Sequence, residues 1–469
     1  MWAAMASVTG AEPASLLPAR WQMTVSLGSH IVLACFGVAF PAVIWVVHRR
    51  GIRDDDPVAL GLAKRWSKVA AVLFAVGAVS GTILSFEMGL LWPGLMRTYG
   101  DVIGLPFALE GIAFFLEAIF LGIYLYGWGR LPPRLHLATL VPIAVSGLVG
   151  TFCILSVNAW MNGPTGFRLD ASGDVVDVDP WAAMLNPRVW LQFAHMWVAA
   201  FMVVGFAVAA VYATGLLRGR DDRHHRLGFA VPFAFATVAA VVQPFVGHAL
   251  GARLHGDQPA KLAAIELAPT TESPAPLALG GVLVDGERRF ALEIPLLGSL
   301  ISRGSADRPV VGFDRIPADE RPEDGLATMV HWSFQLMVGL GLALAGLGVA
   351  FHVARRRGRD WLARPWFLRA AVGAGLGGVA ALELGWITTE VGRQPWIAQG
   401  VMRVEEAVTT SEGVWVSLVV LVVVYALMGA GTVFVLRWMA ERWRFGEALD
   451  LPTPYDPGDV GDAPTVARR

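Results

Sequence analysis

The sequence predicts an all-α polytopic membrane protein with nine transmembrane helices, its N-terminus outside, its C-terminus cytoplasmic and a long outer loop between helices 6 and 7. Three observations lead there. Of 469 residues, 55% are hydrophobic and only 16% charged, whereas soluble domains carry about 25% charged residues. Nine stretches reach the roughly 20 predominantly apolar residues that a helical crossing needs. Finally, Lys and Arg gather in every second connection, which sets the orientation because basic loops prefer the cytoplasmic side.

Helix 1 is expected over 24–48 and is followed by HRRGIRDDD with Lys64, Arg65 and Lys68. Helix 2 (69–92) returns outward and helix 3 (105–128) comes back in, ending before Arg130 and Arg134. Helix 4 (135–160) leads to a polar, acidic outer connection over 161–187. Helix 5 (188–217) precedes the basic RGRDDRHHR, and helix 6 (227–250) opens the long outer segment 251–326. In that segment PAKLAAIELA reads as a short helix and ALEIPLLGSLISR as an amphipathic stretch suited to a membrane surface. Helix 7 (327–354) ends at ARRRGRDWLAR, helix 8 (367–390) runs outward, and helix 9 (413–439) ends at Arg437, Arg442 and Arg444. An N-outside, C-inside chain needs an odd number of spans, and nine meets that condition.

The expected organisation is therefore an outer N-terminal segment (1–23), helices 1–6 (24–250), the outer loop (251–326), helices 7–9 (327–440) and a cytoplasmic tail (441–469) expected to be disordered. The first twenty residues lack a basic stretch followed by an apolar core, so no cleaved signal is expected. A net charge of −1 gives no reason to expect nucleic acid among the partners. Cys35 and Cys153 each lie within an apolar run, where thiols behave as small hydrophobes rather than disulfide or metal partners.

Ionisable groups in hydrocarbon cost about 2.5–3.5 kcal/mol on insertion scales, which makes each a functional hypothesis. The apolar runs contain His30, Glu87, Glu110, Glu117, His195, His248, His331, Glu383 and Glu390, with Met337 as a possible soft ligand. Threaded onto the topology, His30, Glu110, His195 and Met337 fall near the outer ends of inward-running helices, and Glu87, His248 and Glu383 near the final turns of outward-running ones. Glu117, two turns below Glu110, alone approaches mid-membrane. Histidines, a methionine and a carboxylate on different helices suit haem iron. Taken singly, each histidine could equally be a hydrogen-bonded core residue, and each methionine is more often packing than ligand.

Three motifs are more specific. Gly392-Arg393-Gln394-Pro395-Trp396 follows Glu383-Leu384-Gly385-Trp386; Leu109-Glu110-Gly111 leads into Phe114-Phe115-Leu116-Glu117; and Gln258-Pro259-Ala260-Lys261-Leu262-Ala263-Ala264-Ile265-Glu266 opens the outer loop. Over about residues 20–440 the chain resembles subunit I of cytochrome bd-type quinol oxidases. The resemblance implies that His30, ten residues beyond Arg20, ligates a high-spin haem, and that Glu383 serves the other one. One of these is a b haem, and the other is haem d or a second high-spin b-type haem. It further implies that His195 and Met337 are the axial ligands of a low-spin haem b, that Lys261 and Glu266 bind quinol, that Glu110 and Glu117 help bring protons to O2, and that Arg393 and Gln394 lie near the haems. A bacterial cytoplasmic (inner) membrane, a subunit II or related membrane subunit, and often a small single-span subunit belong to the same picture.

The chain departs from the family pattern at three places. Gln335 stands two residues before Met337 where arginine is usual; Glu87 ends helix 2 where a neutral polar residue is common; and LAPTTES follows Glu266 without the usual Trp and acidic residues. The donor could accordingly be ubiquinol, menaquinol or a non-standard one. Two rival readings are an ion or proton transporter using Glu110, Glu117 and Glu383, and a haem-binding subunit without oxygen chemistry. The transporter reading predicts repeats and midplane sites, whereas no repeat is visible and the ionisable residues sit mostly in the outer half. The second predicts loss of His30 or Glu383, and the chain keeps both.

Overall fold

A computed structural model describes residues 13–447 and 449. Among the described residues nine helices are long and apolar enough to cross a membrane. We label them α1 (Leu16–Arg53), α2 (Pro57–Leu91), α3 (Pro93–Tyr126), α4 (Pro133–Met161), α5 (Val189–Leu217), α6 (Arg223–Gly251), α7 (Asp324–Arg356), α8 (Pro365–Val391) and α9 (Val414–Arg444). The expected tail 441–469 falls largely outside the described residues, as does most of the N-terminal segment.

Local chemistry sets several helix starts. Asp56 accepts hydrogen bonds from Val58 N and Ala59 N with Pro57 at the first helical position of α2, and Asp222 caps α6 at His225 N. Such caps satisfy orphan N–H groups, and proline fits the first turn because its missing N–H is not needed there. Several helices outrun their hydrophobic stretches. At 1.5 Å per residue, the 38 residues of α1 extend about 57 Å, well beyond a bilayer core of about 30 Å.

The helix α5 lies at the centre, packing against α1, α4, α6 and α8, while α3 packs mainly on α4 and α7 joins α6 and α8. One apolar core unites α1 to α5, including Phe40, Ile44, Trp66, Tyr124 and Val204. A second unites α5 to α8 around Phe206, Phe229, Phe233, Phe351 and Phe367. The helix α9 packs on α1 and α2 and leaves Val416, Val420, Leu427 and Phe434 exposed.

The basic connections meet at one end of the bundle. Arg223 pairs with Asp56, and Arg226 with Asp221 and Asp360, so the turns after α1, α5 and α7 converge. At the opposite end lies the 252–323 connection, which is built rather than featureless. A helix spans Pro259–Glu266, and Leu277–Leu279 pairs antiparallel with Leu292–Ile294. Inside that pair Val282–Val284 forms a hairpin with Glu287–Arg289. Its turn residues Asp285 and Gly286 both have positive φ (55° and 74°), the backbone that an Asp-Gly turn adopts in tight hairpins. The stretch read as amphipathic divides into the strand Leu292–Ile294 and the helix Leu297–Arg303, which buries Gly298, Ser299 and Ser302 and exposes Leu300 and Ile301.

Candidate functional site

Each of the four expected iron ligands faces a glycine on a neighbouring helix. A Cβ built on Gly81 of α2 would lie 3.0 Å from His30 Cε1, and one on Gly28 of α1 would lie 3.2 Å from Glu383 Oε2. On Gly247 of α6 it would lie 3.2 Å from His195 Cε1, and on Gly385 of α8 it would lie 3.0 Å from Met337 Sδ. These distances are tighter than ordinary van der Waals contact, so larger residues would push the ligand side chains aside. His30 lies on α1 and Glu383 reaches α1 at Gly28, whereas His195 faces α6 and Met337 faces α8.

Polar contacts orient these side chains. His30 Nδ1 lies 2.9 Å from Ser80 Oγ. Gln243 Nε2 donates to the His195 carbonyl at 3.1 Å and lies 3.2 Å from its Nε2. Glu383 Oε1, Gln192 Oε1 and Gln243 Oε1 are buried with no hydrogen-bond partner. Buried polar atoms are rarely left so, and these fit a site that is completed by a bound group.

Glu117 of α3 lies in a notch between two glycines. Its Oε1 is 3.2 Å from the Cβ position of Gly37 on α1, and its Oε2 is 3.5 Å from that of Gly147 on α4. Glu110, two turns away, lies against Gly150 of α4. The i, i+7 spacing keeps both carboxylates on one face.

Glu87 is buried between α1, α2 and α9. Its Oε1 accepts from Gln22 at 3.1 Å and Ser26 at 2.9 Å, and Ser417 donates to Gln22 Oε1 at 2.8 Å. The side chain is therefore built into a hydrogen-bonded cluster that nothing in the chain's hydrophobic pattern could reveal.

At the loop end of the bundle Arg393 Nη2 donates to Glu390 Oε2 at 2.6 Å, while its Nε and Nη1 are buried without a partner. Asn158 binds the other Glu390 oxygen at 2.7 Å. Lys261 Nζ donates to Asn162 Oδ1 at 2.8 Å, sharing that oxygen with Gln258. Arg20 donates to Gln394 Oε1 at 2.9 Å. Burial and the nearby Arg393 charge push Lys261 down to about 7, with Glu390 opposing. Glu266 binds Ser302 at 2.5 Å; burial raises its pKa while Ser302 and Arg288 oppose the rise. The two loop residues are five apart on one helix and have different partners; they do not touch as a pair. Sequence reasoning missed Asn158, Asn162, Gln243, Ser80 and Ser302, whose partners are remote in sequence.

One face of α7 carries a ladder that holds the loop. Asp324 accepts from Gly286 N, Thr328 from Leu283 N, and Gln335 from Gly280 N. His331 lies between the Ile265 carbonyl at 2.7 Å and the Gly280 carbonyl at 2.9 Å. The spacing 324, 328, 331, 335 is that of one helical face. His331 thus has the structural role of a core histidine that donates its one N–H to a loop carbonyl, and Gln335 binds loop backbone.

The fold is that of a multi-pass membrane protein, and the comparisons make it an oxidoreductase. The family model for cytochrome bd terminal oxidase subunit I matches residues 18–443, and the chain belongs to that family. It is a quinol:oxygen oxidoreductase of the cytochrome bd type. A provisionally named cytochrome bd menaquinol oxidase subunit I of Bacillus subtilis (strain 168) is 33% identical over 93% of this chain and 98% of its own length. Cytochrome bd-II ubiquinol oxidase subunit 1 of Escherichia coli (strain K12) is 27% identical over 92% of this chain and 98% of its own. The structure of bd oxidase from Geobacillus thermodenitrificans matches with TM-score 0.86 and 37% identity, covering 92% of this chain and 99% of that one. Cytochrome bd oxidases carry haems, and the family in general works with a subunit II. Membership sets the transporter reading aside.

Proposed function

We propose that the chain is the haem-bearing subunit of a terminal oxidase that takes electrons from quinol at the loop end, passes them between haems and reduces O2 to water. The observation that best supports this is the set of glycine-faced ligands: His195 and Met337 would hold a low-spin haem b, and His30 and Glu383 would hold a high-spin haem b and a second high-spin haem, of d or b type. The haems supply electron transfer and an iron position at which O2 binds. The chain supplies the rest. Glu110 and Glu117, set against glycines, keep and pass protons; Lys261 and Glu266 bind quinol; and the two unpartnered nitrogens of Arg393 suit an anionic carboxylate, with Gln394 holding Arg20 beside them.

The topology proposed with this reading places the loop end outside and the basic end in the cytoplasm of a bacterial inner membrane. Quinol protons would be released outside while those for water arrive from the cytoplasm, separating charge without a pump. Subunit II or a related membrane subunit, and possibly a small single-span one, would cover exposed helix faces. The test is a reduced-minus-oxidised spectrum with pyridine haemochrome analysis of the purified complex, plus O2 uptake with ubiquinol and with menaquinol. A low-spin b signal and uptake with at least one quinol are expected. No low-spin haem would sink the reading, and haem reduction with uptake from neither quinol would point to a non-standard donor.

A further inference from the structure

Ser80 is fully buried on α2, far from the motifs that carry the family resemblance. Its Oγ lies 2.9 Å from His30 Nδ1 and also 3.0 Å from the Gly77 carbonyl, to which it donates. A serine hydroxyl has one proton. When that proton goes to Gly77, the oxygen facing His30 accepts, and Nδ1 carries the hydrogen. The Ser80 carbonyl is in turn fixed by the Tyr425 hydroxyl of α9 at 3.4 Å. On the adjoining position Gly81 keeps the ring clear, since a Cβ there would sit 3.0 Å from Cε1 and 3.6 Å from Nε2.

We infer that Ser80 is the positioning residue of the oxygen-reducing centre: it sets the His30 tautomer, leaving the Nε2 lone pair for iron, and it fixes the ring's rotation. The inference rests on the reading of His30 as a haem ligand. A ligating histidine that donates its other N–H to an acceptor is a more basic ligand and holds one orientation. A more basic ligand favours the oxidised iron, so Ser80 keeps the potential of this haem lower than it would otherwise be.

The test uses the complete oxidase with its partner subunits, comparing Ser80→Ala, Ser80→Thr, Ser80→Cys and His30→Ala. Haem content comes from pyridine haemochrome analysis, the potential from a spectroelectrochemical titration, and the iron–imidazole stretch from resonance Raman of the reduced protein. Ser80→Ala is expected to retain the haem complement, with the high-spin haem potential moved positive and the stretch lowered, while Ser80→Thr restores both. If Ser80→Ala does not assemble, Ser80→Cys, a weaker acceptor, should shift both in the same direction. Full haem with unchanged potential and stretch in whichever of these variants assembles would overturn the proposal. His30→Ala should lose one high-spin haem; retention of all haems would instead overturn the ligand reading beneath it.

Discussion

The ladder on α7 predicts what happens when its central rung is removed. His331 is completely buried and contacts the carbonyls of Ile265 and Gly280 at 2.7 and 2.9 Å, joining the helix that carries Lys261 and Glu266 to the strand segment beyond it. Leucine fills a similar volume and has no polar atom. A neutral imidazole has one N–H to donate, and leaving its buried carbonyl acceptor unpaired costs about 1–3 kcal/mol, so His331→Leu should weaken loop docking by that amount, or about 5- to 150-fold in the local opening equilibrium. Because local opening draws on the least stable elements, the haem region should remain intact. Limited proteolysis and hydrogen exchange across 259–300 would measure the loosening, with the haem spectrum as control and the KM for quinol as functional readout. We expect faster cleavage and exchange, a raised KM and an unchanged haem complement. Wild-type protection of the loop in a fully assembled variant would refute the argument that this face of α7 holds it.

Three further outcomes are expected. Glu117→Ala should lower O2 turnover by about a hundredfold, the lower end of positioned proton-transfer effects, while stopped-flow haem reduction by quinol stays near wild type; unchanged turnover would remove Glu117 from the proton path. Met337→Leu should keep the helical fold but convert the low-spin haem signal to high-spin, read in the reduced spectrum, and a wild-type spectrum would exclude Met337 as an axial ligand. For Lys261, whose folded pKa is lowered to about 7, the unfolded chain binds the extra proton between that value and the ordinary lysine range. Stability should therefore rise with pH across that window, by up to about 1.4 kcal/mol per pH unit, and Lys261→Met should flatten the thermal-melting profile there. Equal slopes in both proteins would show that Lys261 is not the group responsible.

The nine crossings were legible because hydropathy reports the solvent each segment must meet. It does not report where backbone hydrogen bonding stops, so the expected starts at 24 and 105 fell short of Leu16 and Pro93. The cues for the true ends were local: Asp56-Pro57 before α2 and Pro93 before α3. The loop's strands, two or three residues long, are too short to show period-two alternation, though Asp285-Gly286 was a usable turn signal. At the site, ligand types could be read from chemistry in a hydrophobic run, but their glycine counterparts are four among 52 glycines, and nothing local sets Gly81 or Gly247 apart. The divergence of Lys261 and Glu266 was readable, since five residues on a helix turn side chains well away from each other.

The position of α9 bears on biogenesis. The cluster of Gln22, Ser26 and Glu87 is completed by Ser417 of α9, which leaves the ribosome after the eight spans before it. Throughout synthesis of the preceding eight spans, a carboxyl near the start of the chain waits without one wall of its site. A ribosome that stops before residue 414 therefore releases a product whose polar cluster lacks the wall that α9 supplies, a feature by which membrane quality control can recognise a chain without α9.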